Sequence, residues 1–360
     1  MNTAYKPAEN NTDIRHNRQI AVWLLVCCAM VFFMVVLGGV TRLTGSGLSM
    51  VQWDPIFGVV PPLDQQAWEE VFDLYKQSPE YQKINIGMDL AGFKQIYWFE
   101  FAHRLLGRTI GMVFLIPFLF FLVKGRMHRP LVPRMVALFV LGGLQGLLGW
   151  YMVKSGLVDN PHVSQYRLTA HLGLAIVIYA YMFWIALGLL PEKPRDNPAA
   201  GPPGLRLFAG LLAGLVFITA LSGGFVAGLK AGHAYNTFPL MDGRWIPEVI
   251  FMQEPLWRNF FENIATVQFD HRVLAIITFL GVVSLWIYGR KQNLSTQVRT
   301  GLHLLLLAGV LQVALGISTL LLHVPTALAA THQGGALLLL TVILFVNQRL
   351  LSRAGQEGKE

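Results

Sequence analysis

Four histidines stand where an ionisable side chain is expensive. His103, His171, His271 and His332 each lie about four to six residues inside the start of a long apolar run, or ~6 to 9 Å in at 1.5 Å per helical residue. Ionisable residues in such runs face the bundle interior and mark function. They also repeat. Phe101, Ala102, His103 and Arg104 recur as Phe269, Asp270, His271 and Arg272. Gln145 in LGGLQGLLG recurs as Gln312 in AGVLQVALG, and His171 in LTAHLGLA recurs as His332 in AATHQGGA. The three markers keep one order and nearly one offset along the chain. LGGVTRLTGSGLS at 37–49 echoes LSGGFVAGLKAGH at 221–233. One such histidine alone reads equally well as a neutral ring bonded to a carbonyl; four at matching depth in repeat order read as ligands. Neutral imidazoles on facing helices of a four-helix bundle suit a haem held from both sides. A bare zinc or copper ion needs further cysteine, histidine or carboxylate ligands, and none repeats beside these pairs. His16, His128, His162, His233, His303 and His323 lack the symmetry and are left out of the site.

Two further residue types accompany the histidines. Arg104 and Arg272 directly follow their histidines, where a guanidinium can pair with haem propionates or snorkel to the membrane surface. Glu100 in EFAH faces Gln268 in QFDH, so one unit alone carries a carboxylate one helical turn before its histidine. A carboxylate beside a porphyrin suits proton or cation chemistry; the plainer reading is a wetted interfacial acid. The asymmetry gives the two sites different tasks.

The elements that must position these residues follow from composition. The chain of 360 residues is 54% hydrophobic and 13% charged, against roughly 25% charged in soluble domains, and its apolar residues gather in runs of the length that crosses a ~30 Å hydrocarbon layer. This excludes a soluble enzyme, a secreted disulfide scaffold and a nucleic-acid binder. Cys27 and Cys28 are adjacent in an apolar run and read as small core residues. Spans are expected near 20–40, 97–123, 133–153, 167–190, 205–229, 267–288, 300–323 and 326–349. The fold expected is an all-α integral membrane protein of eight transmembrane helices arranged as two pseudo-symmetric four-helix bundles. Four spans separate equivalent motifs, so the units share one orientation. The divisions are a segment at 1–19, an N-terminal unit at 20–190, a Pro-rich linker at 191–204, a C-terminal unit at 205–349 and a tail at 350–360. The loops at 41–96 and 230–266 are expected to form short interfacial helices over the outer mouth. Sixteen Lys and Arg lie on the side of the termini and nine on the other, with Arg104, Arg108 and Arg272 inside spans; the positive-inside bias puts both termini in the cytoplasm.

The blocks LGGVTRLTGSGLSMVQWDPIFGVVPP, YWFEFAHRLLGR, LTAHLGLA, AYNTFPLMDGRWIP, VQFDHR and THQGGALLLLT cover almost the whole chain, and in them it resembles the haem A synthase family. The resemblance implies an oxidoreductase of the bacterial or mitochondrial inner membrane that converts the C8 methyl of haem O to hydroxymethyl and then formyl, passing electrons to an acceptor. It implies a substrate site at His103 and His171 with Glu100 as the catalytic group, and a haem b cofactor at His271 and His332. It also implies lipid surroundings, haem O synthase as a supplier and a possible homo-oligomer. Family members with a cysteine pair in the outer loops exist; this chain has none there. The rival reading is a bis-histidine cytochrome b that only carries electrons, which predicts two permanent, equivalent haems. A transporter built on the repeat would show Gly/Pro-broken helices near the midplane, and no corresponding pair of spans does.

Overall fold

The structure is a computed structural model and describes residues 11–52, 58–157, 161–190 and 201–351. Most of the linker at 191–204 and all of the tail beyond 351 lie outside these residues. Eight helices are long and apolar enough to cross a membrane: α1 (Asn11–Leu43), α4 (Leu90–Val123), α5 (Val132–Gly156), α6 (Gln165–Leu189), α7 (Pro203–Gly228), α9 (Ile264–Arg290), α10 (Thr296–Leu321) and α11 (Thr326–Leu351). Short helices α2 (Gln65–Lys76), α3 (Pro79–Lys83) and α8 (Asn259–Glu262) sit in the long loops. The protein is an all-α multi-pass membrane protein.

Helix starts follow local chemistry. Asp89 caps α4 by accepting from the Gly92 N–H, Asn263 caps α9 from Ala265 and Thr266, and Ser295 caps α10 from Val298, each satisfying donors that a first turn leaves free. Pro133 and Pro203 occupy first turns, where a missing N–H costs nothing.

Within the first half, α1, α4, α5 and α6 form a ring in which each packs on the next and α6 returns to α1. In the second half α7, α9, α10 and α11 do the same. The rings meet through α1 against α11, α6 against α7, and α6 against α11. These four helices are therefore central, and α4, α5, α9 and α10 flank them. The main core cluster runs through both rings and includes Leu24, Cys27, Ile176, Leu212, Leu305 and Ile343, all nearly inaccessible.

One expected boundary differs with consequence. The α4 helix begins at Leu90, seven residues before the expected span, so His103 lies thirteen residues in, whereas His171, His271 and His332 lie six, seven and six residues into their helices. The extra turns are held by an aromatic cluster: Trp68 and Phe72 of α2, with Tyr75, pack on Phe93, Tyr97 and Phe101 of α4. Phe93 stacks between Phe72 and Tyr75 with both ring centres 5.0 Å away. Cover of aromatic residues, and not lipid, thus lengthens this helix. The second long loop is less helical than expected: beside the four-residue α8 it holds single 3-10 turns at Ala231–His233 and Leu256–Arg258 and one bridge between Met241 and Arg244. Its order comes from side-chain amides. Asn259 donates to the carbonyls of Gln253 and Leu256 and accepts from Gln253 N–H, and Asn263 donates to Val249 O.

Candidate functional site

The four histidines occupy opposed helices. In the first ring His103 is on α4 and His171 on α6, which stand on one diagonal; in the second His271 is on α9 and His332 on α11, opposed in the same way. The helices between them carry glycines against which the imidazoles lie. A Cβ placed on Gly38 of α1 would come 3.1 Å from His103 Nε2, and one on Gly149 of α5 would come 3.0 Å from His171 Cε1. On Gly223 of α7 it would come 3.3 Å from His271 Cε1, and on Gly316 of α10 2.8 Å from His332 Cε1. Each ring therefore has two imidazoles reaching inward from one diagonal and two glycines making room on the other. All four histidines stay partly accessible although they lie within helix bundles.

The ring centres of His271 and His332 are 6.4 Å apart with planes at 87°. Two imidazoles bound on opposite sides of one metal, each by a bond of about 2 Å, put their ring centres about 6 Å apart. The C-terminal pair therefore fits a single axially ligated metal. The Nδ1 atoms of His171 and His332 are buried without a hydrogen-bond partner. Among the described residues no three His, Cys, Asp or Glu side chains gather as a set that could hold a bare ion, which suits a metal that brings its own equatorial ligands.

Backbone and loop contacts repeat too. Gln145 Nε2 donates to His171 O at 3.1 Å and Gln312 Nε2 donates to His332 O at 3.0 Å, so each glutamine of the repeat fastens the adjacent ligand helix. Gln145 Nε2 also approaches His171 Nε2 at 3.3 Å. Arg104 donates to the carbonyls of Met50 and Gln52, and Arg272 to those of Tyr235, Thr237 and Leu240. The guanidiniums thus tie each long loop to the helix that carries the histidine beside them. The contacts correct the register of the first motif. Met50 pairs with Tyr235, Gln52 with Thr237 and Gly38 with Gly223, one residue further along than the echo of 37–49 with 221–233 implies.

Glu100 is almost inaccessible. Its Oε2 accepts from Ser49 Oγ at 2.8 Å and from the Met50 N–H at 2.8 Å, and its Oε1 pairs with Arg104. It is not a wetted interfacial acid. Gln268 reaches the equivalent loop as a donor to Tyr235 O, so carboxylate and amide face opposite backbone groups at the same place.

Sequence reasoning found the ligand candidates and the glutamines but missed the glycines and Ser222, whose Oγ lies 2.7 Å from His271 Nδ1. The signal for two glycines was present: Gly149 and Gly316 each follow their repeat glutamine by four residues.

Eight spans enclosing two sets of opposed imidazoles, each lying against a glycine of a neighbouring helix, define an integral membrane protein with one candidate site in each helix ring. The model of the cytochrome oxidase assembly proteins (COX15-CtaA) matches residues 21–344. Heme A synthase of Nitrosospira multiformis is 56% identical over 97% of this chain and 98% of its own length. Heme A synthase COX15 of Bos taurus is 49% identical over 92% of this chain and 82% of its own, and that of Arabidopsis thaliana 48% identical over 92% and 74%. The chain belongs to this haem A synthase family.

Proposed function

We propose that this protein makes haem A by oxidising the C8 methyl of haem O, through a hydroxymethyl group, to a formyl group. The observation that carries the proposal is the pair of opposed-helix imidazole sites in a chain of this family. His103 and His171 bind the iron of the substrate haem O; His271 and His332 hold a resident haem b, for which their 6.4 Å spacing has room. Bound there, haem b supplies a one-electron carrier beside the substrate site. Each oxidation stage removes two electrons and two protons, with water supplying the oxygen in the first, so the substrate side needs a proton acceptor and the whole needs an external electron acceptor.

Glu100 is the residue to which this reading assigns the protons. It stands one turn before His103 on α4, its second oxygen is charge-paired to Arg104, and Ser49 and Met50 hold it in one orientation. A fixed carboxylate beside a developing cation lowers its energy without having to reorient. The Arg104 and Arg272 bonds close the loops over the two sites, and the aromatic cluster on α4 shields the first from bulk water. The distribution of Lys and Arg places both termini on the cytoplasmic or matrix side of a bacterial or mitochondrial inner membrane, with residues 20–190 forming the substrate unit and 205–349 the cofactor unit. Haem O synthase is the class of partner that delivers the substrate.

The test is chromatography of haems extracted from membranes carrying the protein, with and without a haem O source. Haem A should appear only with both. His271→Ala and His332→Ala should remove the tightly held haem b from purified protein, whereas His103→Ala and His171→Ala should leave it and stop turnover. Equal loss of haem b from all four variants would instead support the electron-carrying cytochrome.

A further inference from the structure

The two histidines on the flanking helices are not held alike. His271 Nδ1 lies 2.7 Å from Ser222 Oγ, and the same Oγ lies 2.7 Å from Thr219 O, one turn back on α7. A serine hydroxyl has one proton. If it went to the imidazole, two oxygens, both acceptors, would face each other at 2.7 Å. The arrangement in which both contacts are attractive has Ser222 donating to Thr219 O and accepting from His271 Nδ1–H. This network assigns the tautomer: Nδ1 carries the proton and Nε2 keeps the bare lone pair that a metal takes. A donor bond from the far nitrogen also fixes the ring plane and raises the basicity of the ligating one.

The other unit lacks the device. In the register set by Gly38 with Gly223, Met50 with Tyr235 and Gln52 with Thr237, the residue matching Ser222 is Leu37. Leucine has no acceptor. His103 therefore leans on Gly38 without an oxygen from this position of α1 to set its tautomer.

We infer that Ser222 is a positioning residue that locks His271 as an Nε2 ligand, and that this lock, present in one unit and replaced by Leu37 in the other, makes the C-terminal site a permanent haem site and leaves the N-terminal one exchangeable. The inference rests on the assignment of haem b to His271 and His332. It accounts for how a substrate can leave one of two similar sites while the cofactor stays in the other: the difference lies behind the ligand, since both sites use histidines.

The test compares Ser222→Thr, which keeps a hydroxyl, with Ser222→Val, which has the same shape without one, in full-length detergent-purified protein. The first readout is the rate at which haem b passes to a large excess of apomyoglobin, and the second is the haem b midpoint potential. Loss of an outer-shell partner typically weakens metal affinity 10–100-fold, so the valine variant should release haem b at least about tenfold faster than the threonine variant. Its potential should also move upward, because a less basic imidazole stabilises the ferric state less. Equal release rates and equal potentials in the two variants would overturn the role of Ser222. His271→Ala run alongside separates the two levels. If it too retains haem b, the placement of the cofactor is wrong; if it loses haem b while Ser222→Val behaves as Ser222→Thr, only the positioning role fails.

Discussion

Gly316→Ala is the smallest substitution that must displace a proposed ligand. A Cβ at that position would sit 2.8 Å from His332 Cε1, whereas ordinary contact begins at 3.4 Å, so several tenths of an ångström must be found. Metal–ligand distances tolerate roughly ±0.2 Å. The imidazole cannot retreat further than that and keep its bond unless α10 and α11 part, which the close packing of that pair resists. Gly223→Ala is the internal control: its Cβ would meet His271 Cε1 at 3.3 Å, only just inside ordinary contact. Both changes should strengthen the bare helix, since alanine is about 1 kcal/mol better than glycine in a helix interior. Haem loss from Gly316→Ala cannot then be assigned to a weaker helix. The assay is haem b content per protein after purification, with release to apomyoglobin for what remains. Gly316→Ala should retain a small fraction of the wild-type haem b and Gly223→Ala most of it. On the substrate side the crowding is intermediate, with a Cβ on Gly149 at 3.0 Å from His171 and one on Gly38 at 3.1 Å from His103. Alanine at either position should leave haem b intact and slow haem A formation, the former change more. Equal haem b retention in Gly316→Ala and Gly223→Ala would show that the glycines do not make room for ligating imidazoles.

Two other expectations concern carboxylates. Glu100→Gln should leave haem b at His271 and His332 yet accumulate haem O or the hydroxymethyl product in extracts, with a rate loss of about a hundredfold or more; wild-type haem A yield would reduce Glu100 to a fastener of residues 49–50. Glu80 in the outer loop is buried, and that burial raises its carboxyl to about 7 although Tyr75 donates to it at 3.1 Å. A carboxyl raised in the folded state stabilises below its unfolded value near 4.5 and loses that contribution as pH climbs through about 7. The α2–α3 cover should therefore be more stable to local opening at pH 5 than at pH 8, by up to about 3 kcal/mol, read as larger amide-exchange protection factors once the intrinsic rate at each pH is divided out. Glu80→Gln should flatten the dependence, and wild-type protection factors that do not change with pH would count against the buried acid.

Legibility in the sequence divided along physical lines. The eight spans were legible because hydrocarbon imposes a long apolar run on every crossing helix. The ligand candidates were legible because four histidines inside such runs are conspicuous. The outer start of α4 was not: Leu90–Ile96 includes Lys94 and Gln95 and scores as polar loop, and its packing under Trp68 and Phe72, with the Asp89 cap, explains why it stays helical. The loop-closing use of Arg104 and Arg272 was hidden because backbone carbonyls leave no trace in residue types. Ser222 was hidden because a hydroxyl that bonds its own helix at i−3 looks like any helical serine, and becomes informative only when a histidine from α9 is placed against it.

The seam between the rings limits how independent the two sites can be. His103 rests on Gly38, the adjacent Gly39 faces the Gln333 amide, and Gln333 donates to Val35 O at 2.8 Å while following His332 in sequence. On the other seam Gly224 faces Thr169 and Leu172, and Gly173 faces Leu221, so residues beside His171 touch residues beside Gly223, on which His271 lies. A wall only a few side chains thick therefore separates the first pair of imidazoles from the second, and each face of it is made from helices that also serve the other site. A bulkier residue on either seam would have to displace a side chain: a Cβ on Gly39 would clash with Gln333 Oε1 and one on Gly224 would come 2.9 Å from Thr169 Oγ1. Close-packed interiors transmit such displacements instead of absorbing them. A change that spreads α1 from α11 must then shift Gly38 behind His103 and His332 together, which is why differences between the sites have to be written in residues that serve one ring alone, as Ser222 and Glu100 do.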